Sequence, residues 1–164
     1  MSNENALTLC IGVGNEFRHD DGVGRLTVRA LVEHRLPGVC IAETCGEGAV
    51  LIEMFKAARR VFIIDAVSSS KPPGTIFRLD ACSQSIPGDF FAYSSHAFSV
   101  AEAVEMAKVL GRLPPEIVIY GIQGADFSSG KGLSPEVEAA IQKVIERIVA
   151  EINKSEVKQH LIAE

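Results

Sequence analysis

The sequence predicts an α/β three-layer sandwich: a mostly parallel sheet of about five strands with helices on both faces. Three observations carry that expectation. Short apolar runs alternate along the chain with segments whose apolar residues recur at helical spacing. Residues 61–64 are continuously apolar, as expected of a parallel strand covered on both faces. No internal repeat and no linker interrupts the alternation, so one α/β domain is expected over residues 1–152, followed by a weakly patterned C-terminal tail, 153–164. The chain has 164 residues, within the roughly 100–200 typical of a domain. A compact domain of that size buries roughly 70% of its unfolded surface, so it needs no disulfide or zinc to stand.

The elements follow in order. Residues 6–12 (ALTLCIG) form an apolar run closed by glycine, hence a buried first strand. A polar, glycine-bearing loop follows, and then Val23, Leu26, Ala30 and Leu31 mark a helix over about 22–35, punctuated by Pro37-Gly38. Residues 39–44 read as a second strand and 49–57 as a short helix. The clearest strand is 60–67 (RVFIIDAV). Residues 68–74, with three serines and two prolines, are a loop; 75–80 alternate and fit an edge or antiparallel strand; 81–95 are irregular. A helix over 100–110 is entered either at Ser95 or at Ser99, the latter with the capping-box pattern Ser99-x-x-Glu102. Residues 116–123 (EIVIYGIQ) form the last strand. Ser134-Pro135 then supplies an N-cap and a first-turn proline to a final helix striped by Val137, Ile141, Val144, Ile148 and Ile152.

Composition narrows the function classes. Sixteen Lys+Arg against 21 Asp+Glu give a net charge of −5, without the positive field that nucleic-acid binding requires. No stretch approaches the ~20 apolar residues of a membrane span, and residues 1–5 lack a signal-peptide pattern. Cys10, Cys40, Cys45 and Cys82 contain no C-x-x-C pair, and Cys10 falls in a core strand, which fits reduced thiols and a cytoplasmic protein.

In open α/β sheets, ligands bind outside the carboxyl ends of the strands, so the loops there are where chemistry is expected. The first loop is not a P-loop, because no lysine follows its glycines. It also lacks the third glycine of a dinucleotide fingerprint, and its two carboxylates would repel a pyrophosphate. Asp20 and Asp21 stand at a helix mouth, where one suits a cap and the other is available to a site. Asp65 follows three apolar strand residues, so its carboxyl must be hydrogen-bonded, paired or cation-bound, unless it caps the next turn. His96 lies after a strand-terminal loop at a helix start, where imidazole stays neutral and can ligate a metal, or simply caps the helix. His19 is either a crevice residue or a solvated loop residue. Brought together by the fold, Asp21, Asp65 and His96 would offer oxygen and nitrogen donors suited to zinc or nickel, with open positions.

The motif Gly12-x-Gly14-Asn15, four residues, then Asp20-Asp21-Gly22-x-Gly24 resembles that of the nickel–iron hydrogenase maturation endopeptidases. The resemblance extends through Ile63-Ile64-Asp65-Ala66, Pro73-Gly74-Thr75, Ser95-His96 and Gly132-Leu133-Ser134-Pro135-x-Val137-Glu138, over about residues 6–150. It implies a peptidase that removes the C-terminal extension of a hydrogenase large-subunit precursor after nickel insertion, by metal-assisted hydrolysis. Asp21, Asp65 and His96 would be both the catalytic and the metal-binding residues, and Asp20 a supporting or capping residue. The nickel would come with the precursor, another divalent ion substituting in isolation. Partners would then be that precursor, with no nucleic acid and no membrane; a monomer is compatible with every feature of the sequence. Two departures stand out. The family most often has Glu at the position of Asp21, and Glu43-Thr44-Cys45-Gly46-Glu47-Gly48 replaces an Asp-x-Gly-Thr segment associated with recognising the cognate hydrogenase. The alternatives are a non-catalytic nickel-sensing chaperone of hydrogenase assembly and a small-molecule or nucleotide-binding α/β protein.

Overall fold

A computed structural model describes residues 7–91 and 99–162. Five strands form one sheet: β1 (Thr8–Val13), β2 (Val39–Thr44), β3 (Arg60–Val67), β4 (Ile76–Asp80) and β5 (Glu116–Gln123), in the order β2-β1-β3-β5-β4. All neighbours pair in parallel except β4, which runs antiparallel against β5 at the edge. Four α-helices cover the sheet: α1 (Val23–Leu31), α2 (Gly48–Phe55), α3 (Val100–Val109) and α4 (Pro135–Ile162). The expected three-layer sandwich is therefore the observed architecture.

Side-chain alternation along the strands divides the core into two layers. Leu9, Ile11, Val13, Val61, Ile63 and Val67 pack toward α2 and α3 with Leu51, Phe55, Val100 and Val104. Cys10, Phe62, Ile64, Val118, Tyr120 and Ile122 pack toward α1 and α4 with Val28, Leu31, Val144 and Ile148. Because both faces are covered, seven of the eight β3 residues are buried. That burial is why β3 reads as an unbroken apolar run. Cys10 lies in the second layer, and burial pushes its thiol up to about 12.

Several local expectations are refined. The α3 entry is Ser99, whose hydroxyl accepts from Glu102 N at 3.3 Å while the Glu102 carboxylate accepts from Ser99 N at 2.8 Å. The alternative entry, Ser95, lies outside the described residues. In α1 the buried face is Val23, Thr27, Val28 and Leu31; Leu26 and Ala30 are only half-buried, and the chain leaves the helix through left-handed Arg35 (φ 46°). On α4, Ile141 is likewise half-buried, while Ala140 and Ile145 join the buried stripe. α4 continues to Ile162, into the weakly patterned tail expected after residue 152. No glycine or proline interrupts 153–162, and Arg60 Nη1 donates to the Glu151 carbonyl (3.1 Å) and to Ser155 Oγ (2.8 Å). Backbone propensity and that strand-to-helix tie extend the helix past its apolar stripe.

Gly24, in the first turn of α1, sets how closely the helix approaches the strand ends. A Cβ there would lie 2.1 Å from the Ile64 carbonyl oxygen and 2.5 Å from that of Val13. Both obstacles are backbone, so nothing flexible can yield. Gly24→Ala is expected to destabilise the fold by about 2 kcal/mol or more, in the range of overpacked interiors. Urea unfolding should show a lower midpoint at unchanged slope.

Candidate active site

The connection through α1 carries the chain from β1 to β2 on one side, and β3 then lies on the other side of β1. The strand order reverses between β1 and β3, which makes their carboxyl ends the switch point where α/β sheets open a crevice. Pairing between these strands ends at Gly12↔Ile64, whereas β3 pairs with β5 as far as Val67↔Gln123. Asp65 is thus the first β3 residue beyond the last β1 partner, and it shares its side of the strand with Ile63 and Val67. β3 continues two residues past Asp65, so this carboxyl sits within the strand rather than in the following loop.

The loop after β1 brings Asp21 to the same place. Asp65 is buried, with 6% of its surface accessible. Burial first, and the charge of Asp21 second, push its carboxyl well above the usual carboxylate range, with the Ala66 N–H acting in the opposite sense. Asp21 is half-buried, and its Oδ2 accepts from Asn15 N at 3.0 Å. The structure therefore brings Asp21 and Asp65 into electrostatic contact. His96 lies outside the described residues. Among the described residues, no group of three or more His, Cys, Asp or Glu is arranged to hold a metal.

The neighbouring carboxylate does a different job. Asp20 is fully buried and takes four hydrogen bonds from the segment joining β5 to α4. Its Oδ2 accepts from Ala125 N (2.8 Å), Asp126 N (2.9 Å) and Ser134 Oγ (2.8 Å), and its Oδ1 from Ser134 N (2.7 Å). Burial raises this carboxyl, but the four donors together outweigh it, leaving it below the usual range. Asp20 is thus a clamp that ties the first loop to the start of α4. His19 reinforces it from a left-handed backbone (φ 45°), with its N–H on the Gly130 carbonyl (2.9 Å) and its ring Nδ1 3.1 Å from the Gly132 carbonyl. It is neither a crevice ligand nor a free loop residue.

The glycines of this loop serve internal packing. A Cβ on Gly14, which has φ 134°, would lie 1.8 Å from the Asp21 carbonyl oxygen. Protein backbone thus occupies the space where a phosphate cradle would need to be open. The carboxyl end of β2 packs beside this loop: Gly14 N donates to the Thr44 carbonyl (3.0 Å), and Glu43 is held by Arg25 (2.8 Å) and Arg29 (2.8 Å). Sequence reasoning did not find the contribution of the β5–α4 segment. There Gln123 Oε1 accepts from Ser69 N (2.8 Å), and Gly124 to Ser134 wrap Asp20. The density of glycines at 124, 130 and 132 was the available signal.

Asp20 and Asp65 should respond oppositely to removal of charge. Asp20→Asn places an NH₂ among four donors and is expected to lower stability by about 2 kcal/mol at pH 7. Because the Asp20 pKa is lowered in the fold, its stabilisation is present above about pH 4 and is lost only as pH falls through the folded value. For Asp65 the folded pKa lies above the unfolded one, so the wild type loses stability as pH rises from about 4 through the folded value. Asp65→Asn should therefore be more stable than wild type at pH 7, with the gap closing near pH 4. Urea midpoints of wild type and both variants at the two pH values check these signs.

Residues 26–151 match the family model described as hydrogenase maturation protease. The chain is 29% identical over 154 residues to the hydrogenase 2 maturation protease of Escherichia coli, covering 92% of this chain and 93% of that one. Among solved structures it superposes on an endopeptidase from Escherichia coli with TM-score 0.76 and 26% identity, covering 91% of this chain and 93% of the other. The NiFe hydrogenase maturation protease HybD from Thermococcus kodakarensis gives TM-score 0.66 and 28% identity, over 89% and 98% of the two chains. With a sheet, a crevice and a first-loop motif of this kind, the chain belongs to the hydrogenase maturation protease family and is a peptidase.

Proposed function

We propose that this protein is the endopeptidase that removes the C-terminal extension of a nickel–iron hydrogenase large-subunit precursor once nickel is in place, acting in the cytoplasm. The observation that supports it most is the burial of the Asp65 carboxyl beside Asp21, at the one place where the sheet opens, in a chain of this family. A buried carboxyl facing a like charge is costly unless a proton or a cation stands with it. Two such oxygens suit a divalent ion delivered by the substrate, and His96 would add a nitrogen donor. His96 lies three residues before the α3 cap at Ser99, and α3 covers the face of the sheet that Asp65 shares with Ile63 and Val67.

The roles follow from the chain's own groups. Burial and the charge of Asp21 both oppose ionisation of the Asp65 carboxyl and so favour its protonated form. Arrival of the nickel-bearing precursor would favour the ionised form and draw both carboxylates to the metal. The scissile bond would then lie beside groups able to orient an attacking water and accept its proton. Nickel within the precursor can also polarise the scissile carbonyl or acidify a bound water. Cys45 is exposed and in no disulfide, and the proposed reaction uses no thiol step.

The test is in cells that make the cognate hydrogenase. Mass spectrometry of the large subunit should show complete trimming with the wild type. Untrimmed precursor should accumulate, by more than about a hundredfold, with Asp21→Asn, Asp65→Asn or His96→Ala. Asp21→Glu, the residue most common in the family, should trim. Normal trimming in the Asp65 or His96 variant would remove that residue from the site.

A further inference from the structure

Phe17 is the one aromatic ring among the exposed large apolar side chains of the described residues, with 58% of its surface accessible. Single exposed apolar residues are ordinary on protein surfaces, but this one stands on a braced loop. Its N–H donates to Asn15 Oδ1 at 3.0 Å, and its carbonyl accepts from Gly130 N at 2.8 Å. Asn15 in turn donates its own N–H to Asp21 Oδ2. One residue therefore links the backbone of Phe17 to the carboxylate of Asp21. The Lys131 ammonium lies 4.6 Å from the centre of the ring, on the β5–α4 segment that Asp20 clamps. Phe17 is thus held by hydrogen bonds before any partner arrives, and Lys131 stands between Gly130 and Gly132, whose carbonyls both face His19.

The charge around it also has a direction. Although the chain carries −5 overall, Glu16 beside Phe17 stands among three cations, with Arg29 first and Lys131 and Arg25 behind. Arg29 spends its guanidinium on Glu16 (2.9 Å) and Glu43 (2.8 Å), and Arg25 bonds Glu43 (2.8 Å). Lys131 is the cation of this rim placed over an aromatic face. A rigid exposed ring with a cation beside it has the character of an interface anchor, since little conformational freedom remains to be lost on binding.

We propose that Phe17 and Lys131 form the docking point for the precursor polypeptide at the rim of the crevice. The ring takes an apolar side chain of the substrate, and Lys131 takes a carboxylate near it in the same segment. This rests on the endopeptidase reading for the identity of the polypeptide. It adds two specificity-determining residues that do not touch the reacting bond.

The experiment uses purified full-length protein with nickel-loaded precursor, and measures the Kd by biolayer interferometry and kcat and KM by cleavage. Phe17→Ala and Lys131→Glu are each expected to raise Kd and KM about tenfold, with kcat within about twofold and an unchanged thermal midpoint. Phe17→Leu should recover most of the affinity. Wild-type Kd and KM in both Phe17→Ala and Lys131→Glu would overturn the proposal, as would a loss confined to kcat. Should the wild type bind precursor and never shorten it, the endopeptidase reading fails, while the docking proposal is still decided by the Kd of the variants. A wild type that does not bind precursor overturns both.

Discussion

The carboxylate of Asp20, buried and bonded to four donors from a segment more than a hundred residues further along the chain, is the constraint on which the site depends. Burying a charge is expensive, and only a full set of hydrogen bonds makes it tolerable. Here the donors all come from the segment between β5 and α4, so the first loop can close in one way only. Asp20 N also donates to the Asp126 carbonyl, and beside it His19 N donates to the Gly130 carbonyl while Gly130 N donates to that of Phe17. Asp21, the next residue, inherits a fixed position from this closure. Adjacent aspartates thus divide the work. One is bonded to four donors of the β5–α4 segment, and the other is held beside Asp65.

That division explains where the molecule is stable and where it is strained. Away from the crevice, charges are matched: Glu151 on α4 accepts from Arg78 on β4 (2.7 Å) and from the Tyr120 hydroxyl, and Arg60 reaches the same helix. Toward the carboxyl ends of β1 and β3, burial and the charge of Asp21 raise the cost of ionising Asp65. Functional sites commonly carry such local destabilisation, offset by the rest of the fold. The covered core of β3, with Val61 to Ile64 fully buried, is what can bear an acidic group at its end.

The elements legible in the sequence were those whose signal is local. β3 and β5 read correctly from apolar runs, because strands buried on both faces leave no polar alternation to interpret. The α3 capping box and the Ser134-Pro135 entry to α4 are also local chemistry, complete within four residues. The fate of Asp20 was not legible: both aspartates fit a cap equally well, and the partners that separate them lie beyond Gly124. The last turns of α4 were missed because amphipathic spacing stops at Ile152, whereas the ties from Arg60 are tertiary. The burial of Asp65 was legible because a carboxyl directly after an apolar run begins at the edge of the core. Phe17 was not, since exposure is a property of the folded loop.

The departure at position 21 acquires a physical meaning from this geometry. A glutamate there would carry its carboxylate one methylene further from the backbone. With Asp, one oxygen stays within reach of the Asn15 N–H, which also fixes the turn leading to Phe17. The shorter side chain therefore couples the acidic group to the loop that bears the exposed ring, rather than extending it independently into the crevice. Reach toward a substrate is then set by how the loop sits, and the loop sits where Asp20 holds it. In this chain, the length of one side chain and the burial of its neighbour are two parts of a single positional device, and a change in either alters where Asp21 stands beside Asp65.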